Sequence, residues 1–505
     1  MVKQVILIVF SCIFMGSWAA AADGAAQEKE RGAPEQPQVG PKCFDKKDLR
    51  PGQPLPYCGD LPTLAALNIR EADLELVVGK LKKPWALEFL DDDTVLITEF
   101  GGQLKKVDLS TKKVESISGL VDISTGGGQR GLLDVAVHPD FKNNQLIYYS
   151  YAKKAPDKDA YTTALARGRL VGSELQDVEE IFLALPYAGN SSNFGGAILF
   201  DDKGFLFFST GDRALASRAQ DPKALNGKII RLNDDGTVPA DNPFVGDDTF
   251  HPAIYAYGVR NPQGLVQDKE TGIIYETEHG PMGGDEVNIV EAGKNYGWPT
   301  ISHGMKYGYQ PTGEGASKEG LEQPLFFYLP SLAISPIEVY RGDMFPEWEG
   351  DLLVGALAGR TISKLHLADG RVQSETRMLS ETRDRIRDIK VASDGSIFVL
   401  GQSGKLFRLS RTIADATPLK VGERSGKDIY ESVCSSCHSR AVAGVPQLGV
   451  ASHWVVQMEK PRAELMKNVI SGINDMPQKG NCADCTDAEL AQSVDYMLKG
   501  LQSKQ

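Results

Sequence analysis

From about residue 70 to about residue 410, short apolar runs recur behind turns rich in Asp, Gly and Asn. The copies are "LDDDTVLITEFGGQLKKVDL", "HPDFKNNQLIYYSYA", "DDKGFLFFSTGD", "DKETGIIYETEHG", "GDLLVGALAGRTISKLHL" and "SDGSIFVLGQSGKLFRL". Each joins a turn to a strand of apolar or alternating character, often followed by a second strand. Copies spaced by roughly 45–80 residues are the pattern of propeller blades with insertions. A β-sandwich array would also give regular strands, but units that tolerate insertions of this size favour the propeller. No long amphipathic helix interrupts them. The predicted fold is all-β, a six-bladed β-propeller over residues 70–412.

After Arg411 the period changes. "SGKDIYESVCSSCHSR", "PRAELMKNVISGI" and "TDAELAQSVDYMLKGL" have helical spacing, and Thr486 with Glu489 forms a capping-box pattern. A small all-α domain is therefore expected over 422–505, with the boundary near 412–422.

The N-terminus reads differently again. Lys3, the apolar "VILIVFSCIFMG" and the small-residue "SWAAAA" make residues 1–22 a predicted signal peptide. Such a core is short for a membrane span. A lipoprotein reading at Cys12 competes, with bulky Phe10 against it. Residues 23–69 form a polar leader, rich in Gly, Pro and Gln up to about residue 60. The mature chain is expected to be exported to the periplasm with no transmembrane segment. Export allows disulfides, so Cys43–Cys58 reads as a bridge, two free thiols being the alternative. At 41% hydrophobic and 24% charged residues the composition is that of a globular protein. A net charge of -12 supplies no basic surplus to neutralise phosphates, which argues against a general nucleic-acid binder.

The C-terminal domain carries "CSSCH", the attachment signature for c-type haem. Cys434 and Cys437 add to the two vinyl groups of one haem, and His438 reaches the iron. The sixth ligand should be a thioether or a second imidazole. Met476 in "INDMPQKG" is the expected one, with His453 as rival and Met458, Met466 and Met497 placed in helical patterns. Zinc would need two further ligands, which Cys482 and Cys485 could supply. Met-Pro followed by a C-x-x-C pair resembles cytochrome c5-type class I domains, and that resemblance implies a Cys482–Cys485 disulfide.

In the propeller, "YGVRNPQGLVQD", "EHGPMGGDEVNIVEAGKNYGWP" and "QRGLLDVAVHPDFKNN" carry a second resemblance. Over essentially all of 70–410 the chain resembles the soluble glucose/sorbosone (aldose sugar) dehydrogenases, six-bladed propellers that use pyrroloquinoline quinone (PQQ). PQQ is a flat tricarboxylated quinone, and Arg forks suit carboxylates. The resemblance places Gln129, Arg260, Asn261, Tyr307, Ala356, Arg385, Ile386 and Arg387 at PQQ-contacting positions. It also implies Ca²⁺, held by Gly280, Pro281, Glu286 and Tyr296, hard oxygen donors in a turn.

The match breaks at one point. The family's proton acceptor is a His in a motif like N-H-F-G-G-R; here "SSNFGGAILF" puts Asn193 at that position and Ala197 where the Arg stands. Asn is no base, and loss of a general base costs roughly 10²–10⁴-fold. His138, His251, His279 and His303 lie elsewhere in the matched region; His279 and Asp212 are the nearest substitutes. Three readings follow. The first is a quinoprotein that oxidises a sugar or other alcohol and passes electrons to its own haem and on to a periplasmic acceptor. The second is a catalytically altered propeller serving as a binding module. The third is another propeller enzyme, such as a calcium lactonase. PQQ must be reoxidised one electron at a time, and a tethered haem is an acceptor at high effective concentration, which favours the first.

Overall fold

The computed structural model describes residues 72–307, 310–411 and most of 422–502. The expected signal peptide, the leader with Cys43 and Cys58, and Cys437 lie outside the described residues.

Six four-stranded antiparallel sheets follow one another along the chain. Five are continuous in sequence, over 84–117, 132–183, 195–257, 262–328 and 334–378. The sixth takes Ile386–Val391, Ile397–Gly401 and Lys405–Ser410 from the end of the region and Asp73–Val78 from its beginning. Asp73 pairs with Ser410 and Leu76 with Phe407, so hydrogen bonds between the two ends close the ring. The innermost strands of neighbouring sheets pack against one another in a cycle, from Pro84–Asp91 round to Ile386–Val391. The architecture is the six-bladed propeller that the repeated turn–strand pattern predicts.

The sequence explains the strands directly. Second strands such as Leu352–Ala356 (LLVGA) and Ile397–Gly401 (IFVLG) are wholly buried apolar runs, as befits strands covered on both faces by adjacent blades. The interfaces between blades hold the core. One cluster, for example, joins Ile337, Val354 and Leu365 to Val266, Tyr275 and Val287.

Two kinds of loop share one end of the ring: those leading into each innermost strand and those leaving each second strand. Register places them side by side, with Gly195 opposite Thr210, Pro262 opposite Glu278, Ile334 opposite Ala356 and Ile386 opposite Gly401. Most of the residues singled out in the propeller sequence sit in these loops.

The C-terminal domain is helical. Ser425 and Asp428 form a reciprocal capping box on Gly426–Ile429, a π-helical turn runs over Tyr430–Cys434, and longer helices span Arg462–Ser471 and Asp487–Gln502. The Thr486/Glu489 box forms as its spacing predicts: Thr486 N donates to Glu489 Oε2 at 2.8 Å, and Glu489 N to Thr486 Oγ1 at 3.3 Å. Glu489 also pairs with Arg424 at 2.7 Å, tying the last helix to the first. Among the described residues no helix is long and apolar enough to cross a membrane.

Candidate functional site

Asn193 ends the loop before the innermost strand of the third blade, with φ at +53° and 7% exposure. Three contacts fix it. Its N–H donates to Gln129 Oε1 at 2.8 Å, its carbonyl accepts from Arg213 N, and its amide Nδ2 donates to Asp212 Oδ1 at 2.9 Å. Gly211 makes room for this: a Cβ there would stand 2.2 Å from the Asn193 carbonyl oxygen. Asp212 also accepts from Ala214 N at 2.7 Å and from the Trp298 indole N–H at 2.8 Å. The carboxylate thus braces a turn and orients two side chains of the site. Asn193 Oδ1 receives no donor among the described residues and remains as an acceptor.

Arg213 backs this loop. Its guanidinium lies over the Phe194 ring, 3.3 Å from the centroid, and donates to the carbonyls of Ser192 and Asn190. Burial lowers it to about 9.

Around the same end stand cations with no carboxylate partner among the described residues. Arg387 rests on the Trp85 ring at 4.0 Å, and Trp85 stacks on Phe100 at 5.1 Å. The Arg387 Nε is buried without a hydrogen-bond partner among the described residues. Burial, then the neighbouring Arg385, brings Arg387 down to about 9. Arg385 is lowered likewise, by burial and then Arg360, and donates to Gln402 Oε1 at 2.8 Å. Arg260 donates to the carbonyls of His279 and Gly280 at 2.7 and 2.8 Å and faces Trp298. Half-buried guanidinium groups without a carboxylate partner, beside an aromatic platform, suit a flat polyanion. Asn261 joins them: its Oδ1 accepts from Gly195 N at 3.1 Å and its Nδ2 lies 3.4 Å from His279 Nδ1. Ile386 and Ala356 are buried at the ends of their strands. Tyr307 is 75% exposed, in a short hairpin whose Met305 bridges Met282 two residues after Gly280.

His279 reaches the pocket but is a poor base. Burial, then Arg260 and Arg387, lowers it to about 3, and its Nε2 has no partner among the described residues. His303 stacks on Phe327 at 4.1 Å and is lowered to about 4 by burial.

A cavity beside Arg260 is lined by Glu278, Gly280, Gly284, Glu286 and Tyr296. Glu278 opposes Glu286 and Glu276 opposes Asn288 in the two paired strands, so three buried carboxylates share one wall. Burial pushes Glu278 up to about 7; burial and then the Glu278 charge hold Glu276 and Glu286 well above the usual carboxylate range. Glu276 Oε2 is buried without a donor. Among the described residues no donor reaches the carbonyls of Pro281 or Tyr296, and no three acidic or imidazole groups converge on one point. This oxygen-rich wall fits a hard cation, with carbonyl and amide oxygens completing the donor set. The Gly280–Pro281 turn is tightly packed, since a Cβ on Gly280 would meet the Gly284 oxygen at 2.2 Å.

Reading the sequence alone missed Trp298, Trp85, Glu276 and Glu278. "GWP" and "YETE" stand inside segments quoted for other reasons, and what they face is shown only by the Trp298–Asp212 bond and by strand pairing within the fourth blade.

In the helical domain His438 Nδ1 donates to the Pro446 carbonyl at 2.7 Å, which leaves Nε2 for a metal. Burial lowers the ring's pKa, favouring the neutral imidazole that metals bind. Trp454 stacks at 5.7 Å. Met476 is half-buried in a bridge with Ile473. His453 and Met458 are exposed and Met497 lies in a core with Tyr430 and Trp454. Cys434 is half-buried. Cys482 and Cys485 are joined as a disulfide, which leaves no thiolates for zinc.

A family profile described as "Glucose / Sorbosone dehydrogenase" matches residues 81–408, and one described as "Cytochrome C oxidase, cbb3-type, subunit III" matches 422–497. Aldose sugar dehydrogenase YliI from Escherichia coli (strain K12) is 38% identical over 345 residues, 67% of this chain and 92% of the relative. Cytochrome c5 from Ectopseudomonas mendocina is 40% identical over 83 residues, 15% of this chain and 90% of the relative. A solved structure of the soluble aldose sugar dehydrogenase from Escherichia coli in the apo-form superposes with a TM-score of 0.65 at 36% identity. It covers 68% of this chain and 100% of its own.

Proposed function

The chain belongs to the glucose/sorbosone dehydrogenase family, and from that premise we propose that it is a PQQ-dependent periplasmic dehydrogenase of a sugar or other alcohol that passes electrons to its own haem. The oxidoreductase propeller and the cytochrome c domain are given by relationship. The observation that carries the finer reading is the group of half-buried guanidinium groups without a carboxylate partner among the described residues at one end of the ring, on a chain that also carries a haem attachment motif.

PQQ, when bound, supplies the acceptor for hydride from the carbinol carbon. Arg260, Arg385 and Arg387 bind its carboxylates, Trp85 and Phe100 wall the pocket, and Asn261 and Gln129 position the polar edge. Ca²⁺ is proposed for the Gly280–Pro281 turn, with Glu286 and Tyr296. Asp212 holds Asn193 so that its amide oxygen accepts from the substrate hydroxyl; Asn193 orients that proton without taking it. His438 and Met476 ligate the haem iron, with Cys434 and Cys437 as thioether anchors.

The test is anaerobic addition of aldoses and simple alcohols to the haem-loaded protein with PQQ and Ca²⁺, read by haem absorbance. PQQ-dependent haem reduction is expected. Bound PQQ with a haem that stays oxidised across the panel would favour the second reading, a propeller altered in catalysis. That reading has its own observation: Asp212 spends one carboxylate oxygen on an amide that cannot carry a proton.

A further inference from the structure

Below Arg387, charged groups of four blades meet on the propeller axis. One cavity is lined by Trp85 and Arg387 and also by Asp134, Asp388, Lys390 and Ala197. Arg387, Asp388 and Lys390 follow one another down the innermost strand Ile386–Val391. Glu88 comes from Pro84–Asp91, Asp134 from Leu132–Val137 and Glu338 from Ile334–Val339. The innermost strands of the third and fourth blades, Gly195–Phe200 and Pro262–Gln267, bring no charge. Lys390 pairs with Glu88 at 2.8 Å, and both keep some exposure, 29% and 25%, so this part of the cluster touches water.

The charge count is unequal. Four carboxylates act on Lys390, Lys269 acts further on Glu338, and Arg387 lines the upper part of the cavity. Four ionised carboxylates in such a place would repel one another and forgo hydration, so the cluster must hold protons. Burial raises Asp134 to about 6, Glu338 to about 7 and Asp388 to about 8, each against the pull of Lys390. Lys390 itself is held protonated: burial would lower it, and Glu88, Glu338, Asp388 and Asp134 outweigh that. Part of the cluster is structural, since Asp388 accepts from Leu87 N at 2.6 Å and Asp134 from Ile198 N at 2.7 Å across blade boundaries.

The open end of the ring has little else to receive a proton. Asn193 has no basic atom, Asp212 is engaged on both carboxylate oxygens by three donors, His279 has the Arg260 guanidinium bonded to its own carbonyl, and Glu278 lines the proposed cation site. We propose that the axial cluster of Glu88, Asp134, Glu338, Asp388 and Lys390 is the proton-release route of the dehydrogenase, leading from the Arg387 pocket into the water of the lumen. The inference rests on the quinoprotein reading. Oxidising an alcohol to a carbonyl breaks one C–H and one O–H bond and frees two electrons and two protons. The electrons leave singly through the ferric haem to an external acceptor; the protons pass to Asp388 and Asp134, then to Glu338, and leave to the water beside the Lys390–Glu88 pair.

The test uses the haem-loaded, PQQ-loaded chain, reduced chemically and reoxidised with ferricyanide pulses in weak buffer containing a pH-indicator dye. Wild type should release protons in step with oxidation, while Glu338→Gln and Asp388→Asn should show proton release lagging behind the electrons. Infrared spectra of the cofactor-free chain give a second readout, a carboxylic-acid band that titrates around pH 6 to 8 and shrinks in Glu338→Gln. Among the described residues Glu338 bonds only the next residue's N–H, at 3.2 Å, so this variant should keep its fold, checked by its melting curve. Proton release still in step after the band has shrunk would overturn the proposal. So would a non-titrating cluster that retains a metal ion through dialysis. Failure of PQQ to bind would be seen as missing quinone absorbance and would remove the parent reading and this one together.

Discussion

Asn193 shows how one residue can be legible in sequence and still need the fold to be understood. The substitution at the base position is visible in "SSNFGGAILF"; the consequence depends on Asp212, which stands 2.9 Å from the amide. A carboxylate already placed to orient a ring N–H makes Asn193→His a constructive change. Turnover should rise, toward the roughly 10²–10⁴-fold worth of a general base, and Asp212→Asn in that background should remove most of the gain. A His variant no faster than wild type would mean that the substrate pocket itself has diverged. At the haem, Met476→Ala should abolish the low-spin spectrum with a methionine ligand; an unchanged spectrum would return the sixth position to another residue. Tyr307 marks another case, a position carried by resemblance that stands 75% exposed in a short hairpin whose Met305 bridges Met282.

Among elements, turn–strand units are local, so the alternation of Asp/Gly turns with apolar runs displays the blades to anyone reading the chain. Ring closure is not local. Asp73–Val78 joins strands more than 300 residues away, and nothing in "DLELVV" names its partner. Helix starts are legible only in part: Thr486/Glu489 matches the Ser/Thr-x-x-Glu capping pattern, whereas the equally regular Ser425 box closes on an Asp, outside that pattern. Innermost strands carry the axial carboxylates, and their effect on stability has a definite sign. Glu338 is raised by burial to about 7, above the ordinary value near 4.5, so the folded state binds its proton more tightly than the unfolded state does. That stability is complete below about pH 4.5 and is lost as pH rises through about 7. Glu338→Gln should therefore gain on wild type in melting temperature between pH 5 and pH 8. A constant gap between the two melting curves across that window would contradict this assignment.

For the whole molecule, the informative fact is covalent: a dehydrogenase-family propeller and a cytochrome c domain share one chain. A tethered acceptor makes reduction intramolecular. The rate of haem reduction at saturating substrate should not change when the protein is diluted tenfold; first-order dependence on protein would show that electrons pass between molecules instead. By itself the sequence determined what local pattern and covalent chemistry can determine: blade repeats, the helical C-terminal domain, the Cys-x-x-Cys-His attachment site and the missing base. Tertiary structure alone decided which strand closes the ring, which carboxylate addresses Asn193, which guanidinium groups lack counter-charges, and that four acidic residues from four blades share one lysine. The reason is physical. Turns, strand alternation and helix caps act between residues a few positions apart, whereas charge balance and burial are set by neighbours in space, brought together only when the blades close around the axis.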